Sequence, residues 1–236
     1  MPRFRVLALV FVASLLIWLL VALPAAPVVQ RLDGTLVAGS TLSVNQVSGT
    51  LWSGRLGWRW QGWRGSLVWR LARDGWRPAV QAELRSDDLL VSGRFSGGQD
   101  SLRLRDVSLS VPLQPFTRDL EHGNADGRLQ GRIDSLHWRR AGTVEVRGRL
   151  RYSGGRVSWP PDGSADVPAL DGELFSEAER GWLVVSAPDG QRVMDASLGG
   201  ESAELRVYRA WPRLLGVSQG GRDEDVVFQV SERLLP

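Results

Sequence analysis

The chain begins with one long apolar run and then changes to an alternating pattern. From Val6 to Leu23 the only polar side chain is Ser14. A helix of these eighteen residues would span roughly 27 Å, just enough to cross the hydrocarbon core of a bilayer. After Pro27, apolar side chains return at every second position between turn residues, as in half-buried β-strands. The pattern predicts a membrane helix followed by a β-rich domain.

Two arginines set the expected orientation of the apolar run. Arg3 and Arg5 directly precede it, and the positive-inside rule keeps such a flank in the cytoplasm. A cleaved signal peptide is the alternative, but its apolar core would be about 7 to 15 residues long, and Pro24 and Pro27 flank the candidate cleavage site. We therefore expect an uncleaved single-pass anchor in the cell inner membrane. The predicted divisions are a cytoplasmic N-terminus (1–5), a transmembrane helix (6–23), a linker (24–40) and a periplasmic all-β domain (41–236).

The alternating region is predicted to be an all-β antiparallel meander, either closed as a sandwich or barrel or left as a curved, open sheet. A change of apolar phase near Asp106 predicts a β-bulge or a bend inside a long strand. Only two short helices are predicted, near Pro115 to Glu121 and near Pro212 to Gly216. Strands are predicted around residues 56–60, 67–71, 80–84, 89–95, 102–113, 129–133, 144–152, 157–159, 182–186, 192–198, 203–208 and 226–230.

Charge and cysteine content exclude several classes of function. The formal net charge is only +3, and all 29 basic residues are arginines that are spread along the chain. Without a basic block, nucleic-acid binding is not expected. The chain has no cysteine, which excludes disulfides, thiolate metal sites and cysteine nucleophiles. The arginines alternate with apolar residues on several strands, so we expect a solvated sheet face with cross-strand ion pairs.

No catalytic or cofactor motif has the context that its chemistry needs. Ser218 lies in a G-x-S-x-G pattern, but both histidines, His122 and His137, precede it and a strand is predicted after it, so the order of a hydrolase triad is missing. Two separated histidines do not make a zinc site, and the acidic runs 87–88 and 223–225 lack the spacing of a calcium loop. We expect no enzyme activity, no metal and no cofactor.

The segment GTLWSGRLGWRWQGWRG, residues 49–65, carries four of the eleven tryptophans. In an extended chain Trp52, Leu56, Trp58 and Trp60 share one side, which predicts a half-buried core strand. Each tryptophan buries about 150–250 Å², so a row of them would make a strong wall for a β core.

A partly exposed aromatic shelf is the functional alternative. Trp63, Trp69 and Trp76 would form it, because they depart from the phase of the first strand or lie on a second one. Its occupant would be an edge strand of another protein, an acyl chain or a glycan. Three glycines would let another backbone approach closely. The rim and glycine residues of this shelf are Arg55, Arg59, Arg64, Gly49, Gly54 and Gly57.

The layout of the whole chain resembles type II secretion system protein N. The resemblance rests on one N-terminal membrane span, on Gly49-Thr50-Leu51-Trp52-Ser53-Gly54 about twenty-five residues later, and on an arginine-rich β meander. The meander ends in Trp211-Pro212-Arg213-Leu214-Leu215-Gly216 and Val226-Val227-Phe228. The resemblance implies an accessory, non-enzymatic component on the inner-membrane side of the machine that exports folded periplasmic proteins across the outer membrane. It also implies a structural role for Gly49 to Gly54, and other secretion subunits as partners, with a homo-oligomer as a further possibility.

A second hypothesis comes from the pattern alone. An open β groove that is apolar inside and arginine-rich outside would bind or transfer lipid between membranes. The two hypotheses differ in where the apolar faces point: a closed core would be filled, whereas a groove would leave apolar side chains lining an open channel.

Overall fold

The structure is a computed structural model, which describes residues 24–29, 34, 36–37, 40–60, 62–98, 100–117, 123–140, 142–200, 202–217 and 220–233. The predicted transmembrane helix, 6–23, lies outside these residues. Among the described residues, no helix is long and apolar enough to span a membrane. The division into anchor, linker and β domain therefore stays a prediction.

Strands dominate the described chain, with three short helices: α1 (Ala26–Val29), α2 (Gln114–Thr117) and α3 (Ala210–Leu214). The last two lie where short helices were predicted. The strands are β1 (Leu36–Val37), β2 (Ser40–Thr41), β3 (Ser43–Gly49), β4 (Ser53–Trp60), β5 (Trp63–Asp74), β6 (Arg77–Ser86), β7 (Leu90–Gly98), β8 (Ser101–Pro112), β9 (Asn124–Ala125), β10 (Arg128–Arg139), β11 (Val144–Tyr152), β12 (Gly155–Trp159), β13 (Gly163–Val167), β14 (Leu170–Glu177), β15 (Arg180–Ser186), β16 (Arg192–Gly199), β17 (Ser202–Tyr208) and β18 (Val226–Arg233).

Thirteen strands form one antiparallel sheet in the order β18-β17-β16-β15-β14-β11-β10-β8-β7-β6-β5-β4-β3. The sheet is not closed, since β3 and β18 lie at its two ends, so of the predicted architectures the open sheet is confirmed and the sandwich and the barrel are wrong. The strands β13, β12 and β9 form a small second sheet, and β1 pairs with β2. Almost every strand pairs with its neighbour in the sequence, as expected for a meander.

The predicted bulge is present at Asp106. Its φ is +51°, and β8 holds one residue more than β7 between the pairs Ser92–Ser108 and Arg94–Arg105. The neighbouring strand β10 has an extra residue, Asp134, at the same level relative to β11. Two adjacent strands therefore bend together, and the apolar side chains on both sides of the bend reach the same sheet face.

Buried residues pack into two clusters, one near the β3 end of the long sheet and one at β14 to β16. The first contains Leu56, Trp58, Trp60 and Ala25, with Leu67 and other apolar side chains packed against it. The second lies where α3 and the small sheet cover β14 to β16, and its buried members are Val167, Leu170, Ala187, Val193 and Ala210. Between the clusters the sheet has little cover, so many of its apolar residues are only half-buried.

Candidate interaction surface

The segment Gly49–Gly54 forms the tight turn between β3 and β4. The backbone N–H of Thr50 donates to the carbonyl of Ser53 at 2.8 Å, and its side-chain Oγ1 accepts from the backbone N–H groups of Trp52 and Ser53, each at 3.3 Å. Gly49 has φ +93°, a conformation that L side chains rarely adopt. These contacts give the segment a structural role, and a contact with another subunit stays a prediction.

The same turn holds the start of the described chain against the sheet. Pro24 forms a β-bridge with Thr50, and the N–H of Ala25 donates to the carbonyl of Gly49 at 3.2 Å. Ala25 is completely buried beside Trp58 and Trp60. Residue 24 is therefore fixed at the β3–β4 end of the sheet.

Two tryptophans lie across glycines of the neighbouring strand. Trp69 is paired with Gly54, and Trp58 with Gly65. A Cβ added at Gly54 would lie 2.4 Å from the ring of Trp69, and one at Gly65 would lie 2.6 Å from the ring of Trp58. The Nε1 of Trp69 donates to the carbonyl of Leu51 at 3.1 Å, which ties the ring to the turn. Indoles of the chain itself occupy the space that the glycines leave.

The structure therefore corrects the expectation that Gly49, Gly54 and Gly57 open the strand to another backbone. A Cβ at Gly49 would meet the carbonyl oxygen of Ser53 at 2.4 Å, and one at Gly57 would meet the side chain of Asn45 at 2.3 Å. All three sites are already filled from within the chain. A glycine in a strand can therefore indicate close packing against a large ring of the same chain as well as a binding groove for another chain.

The predicted shelf is not a single surface. Trp63 and Trp69 lie on the same sheet face as Leu56, Trp58 and Trp60 and pack half-buried against that cluster, because paired residues of adjacent strands share a face. Arg55, Arg59 and Arg64 are exposed on the opposite face, and Arg59 is paired directly with Arg64. The arginines therefore do not rim the tryptophans. Trp76 is 104% exposed in the β5–β6 turn, apart from both groups.

One row of paired residues gives the sheet a continuous apolar face. The row crosses from β4 to β18, and only two glycines interrupt its large apolar side chains. At about 4.8 Å between strands, twelve members extend over roughly 50 Å. We call it the apolar row: Leu56, Leu67, Leu84, Val91, Leu109, Gly131, Leu150, Gly172, Val185, Met194, Val207 and Phe228.

A hollow of about 530 Å³ opens on this sheet between β10 and β18. Val146, Leu183, Leu205 and Val230 are among its lining residues. A volume of this size lies within the range of about 300–1,000 Å³ that is usual for small-molecule sites. The sequence pattern predicted the strands that line it except β14, and it left open whether the apolar face would be covered, because alternation does not tell how far a sheet is covered.

The edge strand β18 is exposed along its whole length. Among the described strands it pairs with β17 alone, from Ser202–Arg233 to Tyr208–Val226. Phe228 is 53% exposed and Val230 is 42% exposed. The strand contains no proline and no lysine, two of the residues that commonly prevent edge pairing. The sequence predicted this strand, yet its position at an edge follows only from the topology.

Ion pairs cover the other sheet face, as the alternating arginines predicted. Arg94 and Arg132 both approach Asp106 at the bulge, and Arg132 also approaches Asp134 at 3.1 Å. One carboxylate of this face is buried: Asp195 is 3% exposed and accepts from the hydroxyl of Tyr208 at 2.9 Å. Exposed ion pairs of this kind stabilise the fold by about 0–1 kcal/mol each, whereas removing one partner of a buried pair costs about 3–5 kcal/mol.

His137 lies on this face between β8 and β11. Its Nδ1 is 3.7 Å from a carboxylate oxygen of Glu145, and its side chain is 14% exposed. Burial, together with the positive charges of Arg103 and Arg139, lowers the pKa of His137 below its ordinary value, and Glu145 opposes the shift. The neutral imidazole is therefore the form that the fold stabilises.

The structure describes only some of the candidate catalytic and metal-binding residues. Ser218 and His122 lie outside the described residues. In the part of the chain that the structure describes, no group of three or more His, Asp or Glu side chains is arranged to hold a metal ion. The acidic run 223–225 pairs with arginines: Arg213 with Asp223, and Arg209 with Asp225 at 3.6 Å. These carboxylates neutralise nearby arginines.

The model of the family described as type II secretion system (T2SS), protein N matches residues 40–210, which is more than half of the chain. The chain belongs to this family. The suspected resemblance is thus confirmed, and the matched range includes the GTLWSG turn and every strand of the large sheet except β18. The C-terminal segments 211–216 and 226–228, which also suggested the family, lie beyond it.

Membership in the protein N family gives the protein a role in type II secretion and implies that it works with other components of that system. We found no match among the curated proteins or the solved structures.

Proposed function

We propose that this protein is an accessory, non-enzymatic component of the inner-membrane platform of the type II secretion system. In this proposal residues 6–23 anchor it in the inner membrane with the N-terminus in the cytoplasm, and the sheet stands in the periplasm. Family membership supports the role in secretion, and the apolar run with Arg3 and Arg5 supports the anchor.

The exposed strand β18 is the observation that carries the docking function. Such an edge leaves backbone N–H and C=O groups free to pair with a strand of another chain, and side chains at alternate positions select the partner. Phe228 and Val230 continue the apolar face to this edge, so an added strand would extend both the backbone ladder and the apolar contacts. Export of folded proteins would be supported by holding another subunit in place.

A pair of matched variants tests this proposal. Phe228→Glu and Val230→Glu together place charges on the edge, whereas Leu90→Glu places a charge on β7, at a residue of similar exposure, 40%, away from the edge. A photo-crosslinker at Gln229 reports the partner in cells, and secreted protein in the medium reports function. The edge variant should lose both the crosslink and secretion, while Leu90→Glu keeps them.

The outcome that would contradict docking by β18 is an edge variant that secretes normally and keeps all crosslinks at wild-type protein level. A crosslink to a second copy of the chain would instead favour a homo-oligomer joined through this edge. The same crosslinker at Arg59 tests the residues of the predicted shelf that face solvent.

Lipid binding is a second candidate function, which the apolar hollow and the apolar row favour. The hollow would hold an acyl chain, and the arginines of the opposite face would remain in water. Native mass spectrometry of the protein released from membranes, with lipid extraction in parallel, tests it. Stoichiometric phospholipid or glycolipid would support a carrier, and a lipid-free protein that still supports secretion would exclude one.

A further inference from the structure

The β5–β6 hairpin extends past the end of its ladder with β4 and past the part of β7 that pairs with β6. The β4–β5 ladder ends at Ser53–Arg70, and β7 pairs with β6 only as far as Val80. Three further residue pairs, from Ala72–Ala79 to Asp74–Arg77, join β5 and β6 alone, followed by a two-residue turn, while β7 continues to Gly98 without pairing with β6. At about 3.4 Å per residue the tip extends roughly 14 Å past β4. We call residues 71–80 the hairpin tip.

The hairpin tip carries three apolar side chains that are more than a third exposed, whereas its Ala79 is buried. Trp76 is 104% exposed at its end, Leu71 is 48% exposed, and Val80, which is paired with Leu71, is 37% exposed. Scattered apolar residues are common on surfaces, but here three of them share one projection. Gly75, with φ +61°, makes the turn that presents Trp76.

The charge of the hairpin tip is positive. Arg73 and Arg77 are exposed and form no ion pair with any described residue. The one acidic residue of the tip, Asp74, is 2.9 Å from Arg105 of β8, and its side chain is only 10% exposed. This pair neutralises the carboxylate and fixes the tip against the body of the sheet. The hairpin tip is therefore positively charged, is held by the Asp74–Arg105 pair and ends in Trp76.

The position of the hairpin tip adds a third argument. Strands alternate in direction, so the β3–β4 turn and the β5–β6 turn lie at the same end of the sheet. Pro24 is bridged to Thr50 in the first of these turns, and residue 23 ends the apolar run. Two strand spacings, roughly 10 Å, separate the turns across the sheet. If the run crosses a bilayer, the tip faces that bilayer.

We propose that the hairpin tip inserts into the headgroup region of an anionic phospholipid bilayer. Trp76 and Leu71 would lie at the boundary of the hydrocarbon, where tryptophan is favoured, and Arg73 and Arg77 would bind lipid phosphates. The tip is a second attachment, which fixes the orientation of the sheet on the membrane. This inference rests on the proposed anchor for its location, and on the tip's own side chains for its chemistry.

Because the chain has no cysteine, a single spin label can test the inference in the full-length protein. Gly75→Cys places the label beside Trp76, at a position with no atom within 4 Å of an added Cβ, although a side chain at φ +61° costs roughly 1–2 kcal/mol. Asp87→Cys is the matched control, in the exposed turn at the other end of β6. Both proteins are reconstituted in nanodiscs of phosphatidylethanolamine and phosphatidylglycerol. Accessibility to oxygen and to a water-soluble nickel chelate then reports the depth of each label.

The label at Gly75 should be accessible to oxygen and shielded from the nickel chelate, while the label at Asp87 shows the reverse. In the Gly75→Cys background, Arg73→Gln with Arg77→Gln should lower the ratio of embedded to water-exposed label by roughly 30-fold, since each arginine near an anionic surface contributes about 1 kcal/mol, or about 5-fold. Phosphatidylcholine alone should give the same reduction for the unaltered tip.

Alkaline carbonate extraction of cell membranes separates this inference from the proposed anchor. A protein that resists extraction but has a water-exposed label at Gly75 keeps the anchor and overturns the inference. A protein that is released by carbonate, with a label embedded at neutral pH, overturns the anchor and supports the inference. Shielding that requires another secretion protein, and is absent with lipid alone, would assign the tip to a protein partner and overturn the inference.

Discussion

Gly54→Ala should destabilise the fold through the ring of Trp69. An added Cβ would lie 2.4 Å from the ring and 2.7 Å from the carbonyl oxygen of Ser48, whereas ordinary contacts begin at 3.4 Å. Overpacking of this kind costs about 1–3 kcal/mol. Alanine is also less flexible than glycine in the unfolded chain, which returns about 0.5–1 kcal/mol. The expected net loss of unfolding free energy is about 1–2 kcal/mol.

A double-mutant cycle isolates the contribution of the ring. Trp69→Ala alone should cost about 3 kcal/mol, because it removes roughly 100 Å² of buried apolar area and the hydrogen bond to Leu51. In that background Gly54→Ala no longer meets the ring, and the carbonyl oxygen of Ser48 at 2.7 Å remains. Its cost should therefore fall by about 1 kcal/mol, which is the coupling energy expected of residues in direct contact.

Denaturant unfolding of the full chain in detergent micelles measures these values. Far-ultraviolet circular dichroism is the suitable signal, since removing Trp69 changes the fluorescence. Gly98→Ala is the control, because Gly98 lies in β7 with no atom within 4 Å of an added Cβ, and its stability should stay within about 0.5 kcal/mol of wild type. Equal midpoints for the Gly54 and Gly98 variants, or additive costs in the cycle, would refute the reasoning.

One buried and two half-buried groups give predictions that urea unfolding can check. Asp195→Ala should lower the free energy of unfolding by about 3 kcal/mol, because it leaves Tyr208 and Arg192 without their carboxylate partner. The exposed Asp171→Ala should lower it by less than about 1 kcal/mol, and similar losses for the two variants would contradict this prediction. Burial lowers the pKa of His137, so its contribution to stability is present above the unfolded pKa of about 6.5 and is lost as the pH falls. His137→Gln should therefore reduce the loss of unfolding free energy at acid pH. An unchanged dependence of that free energy on pH would contradict the prediction. Burial raises the pKa of Tyr152, whose contribution is present below about pH 10 and is lost at higher pH. Tyr152→Phe should therefore reduce the alkaline loss and should cost about 1 kcal/mol at neutral pH through the hydrogen bond to Asp126; wild-type behaviour in both tests would count against it.

Most strands of the large sheet could be predicted from the sequence, because a half-buried strand records its faces in alternating side chains. The exceptions have physical causes. In β3 a bulge at Gln46, with φ +50°, places both Val44 and Val47 against the core, so their three-residue spacing hides the strand. In β14 Gly172 replaces a large side chain in the apolar row, which shortens the visible alternation.

The candidate surface was less predictable, since it depends on which strands neighbour one another. The phase of residues 49–65 correctly predicted Leu56, Trp58 and Trp60 as core. It could not show that Trp69 would cross a glycine of the preceding strand, because that contact depends on pairing register. Trp76 was singled out as an exposed aromatic residue, but its projection depends on where the neighbouring ladders end.

The meander also determines how the chain can assemble. From β4 to β8 each strand pairs with its immediate predecessor, and the β8–β10 and β11–β14 pairs skip only short strands. Contacts this local need small loop closures, so hairpins can be added in order while the N-terminal part leaves the ribosome. Every incomplete chain would then end in an unpaired strand, a transient counterpart of β18. Slow synthesis would prolong the lifetime of these unpaired strands, and because unpaired strands can pair with other chains, the fold would be most prone to aggregate during synthesis.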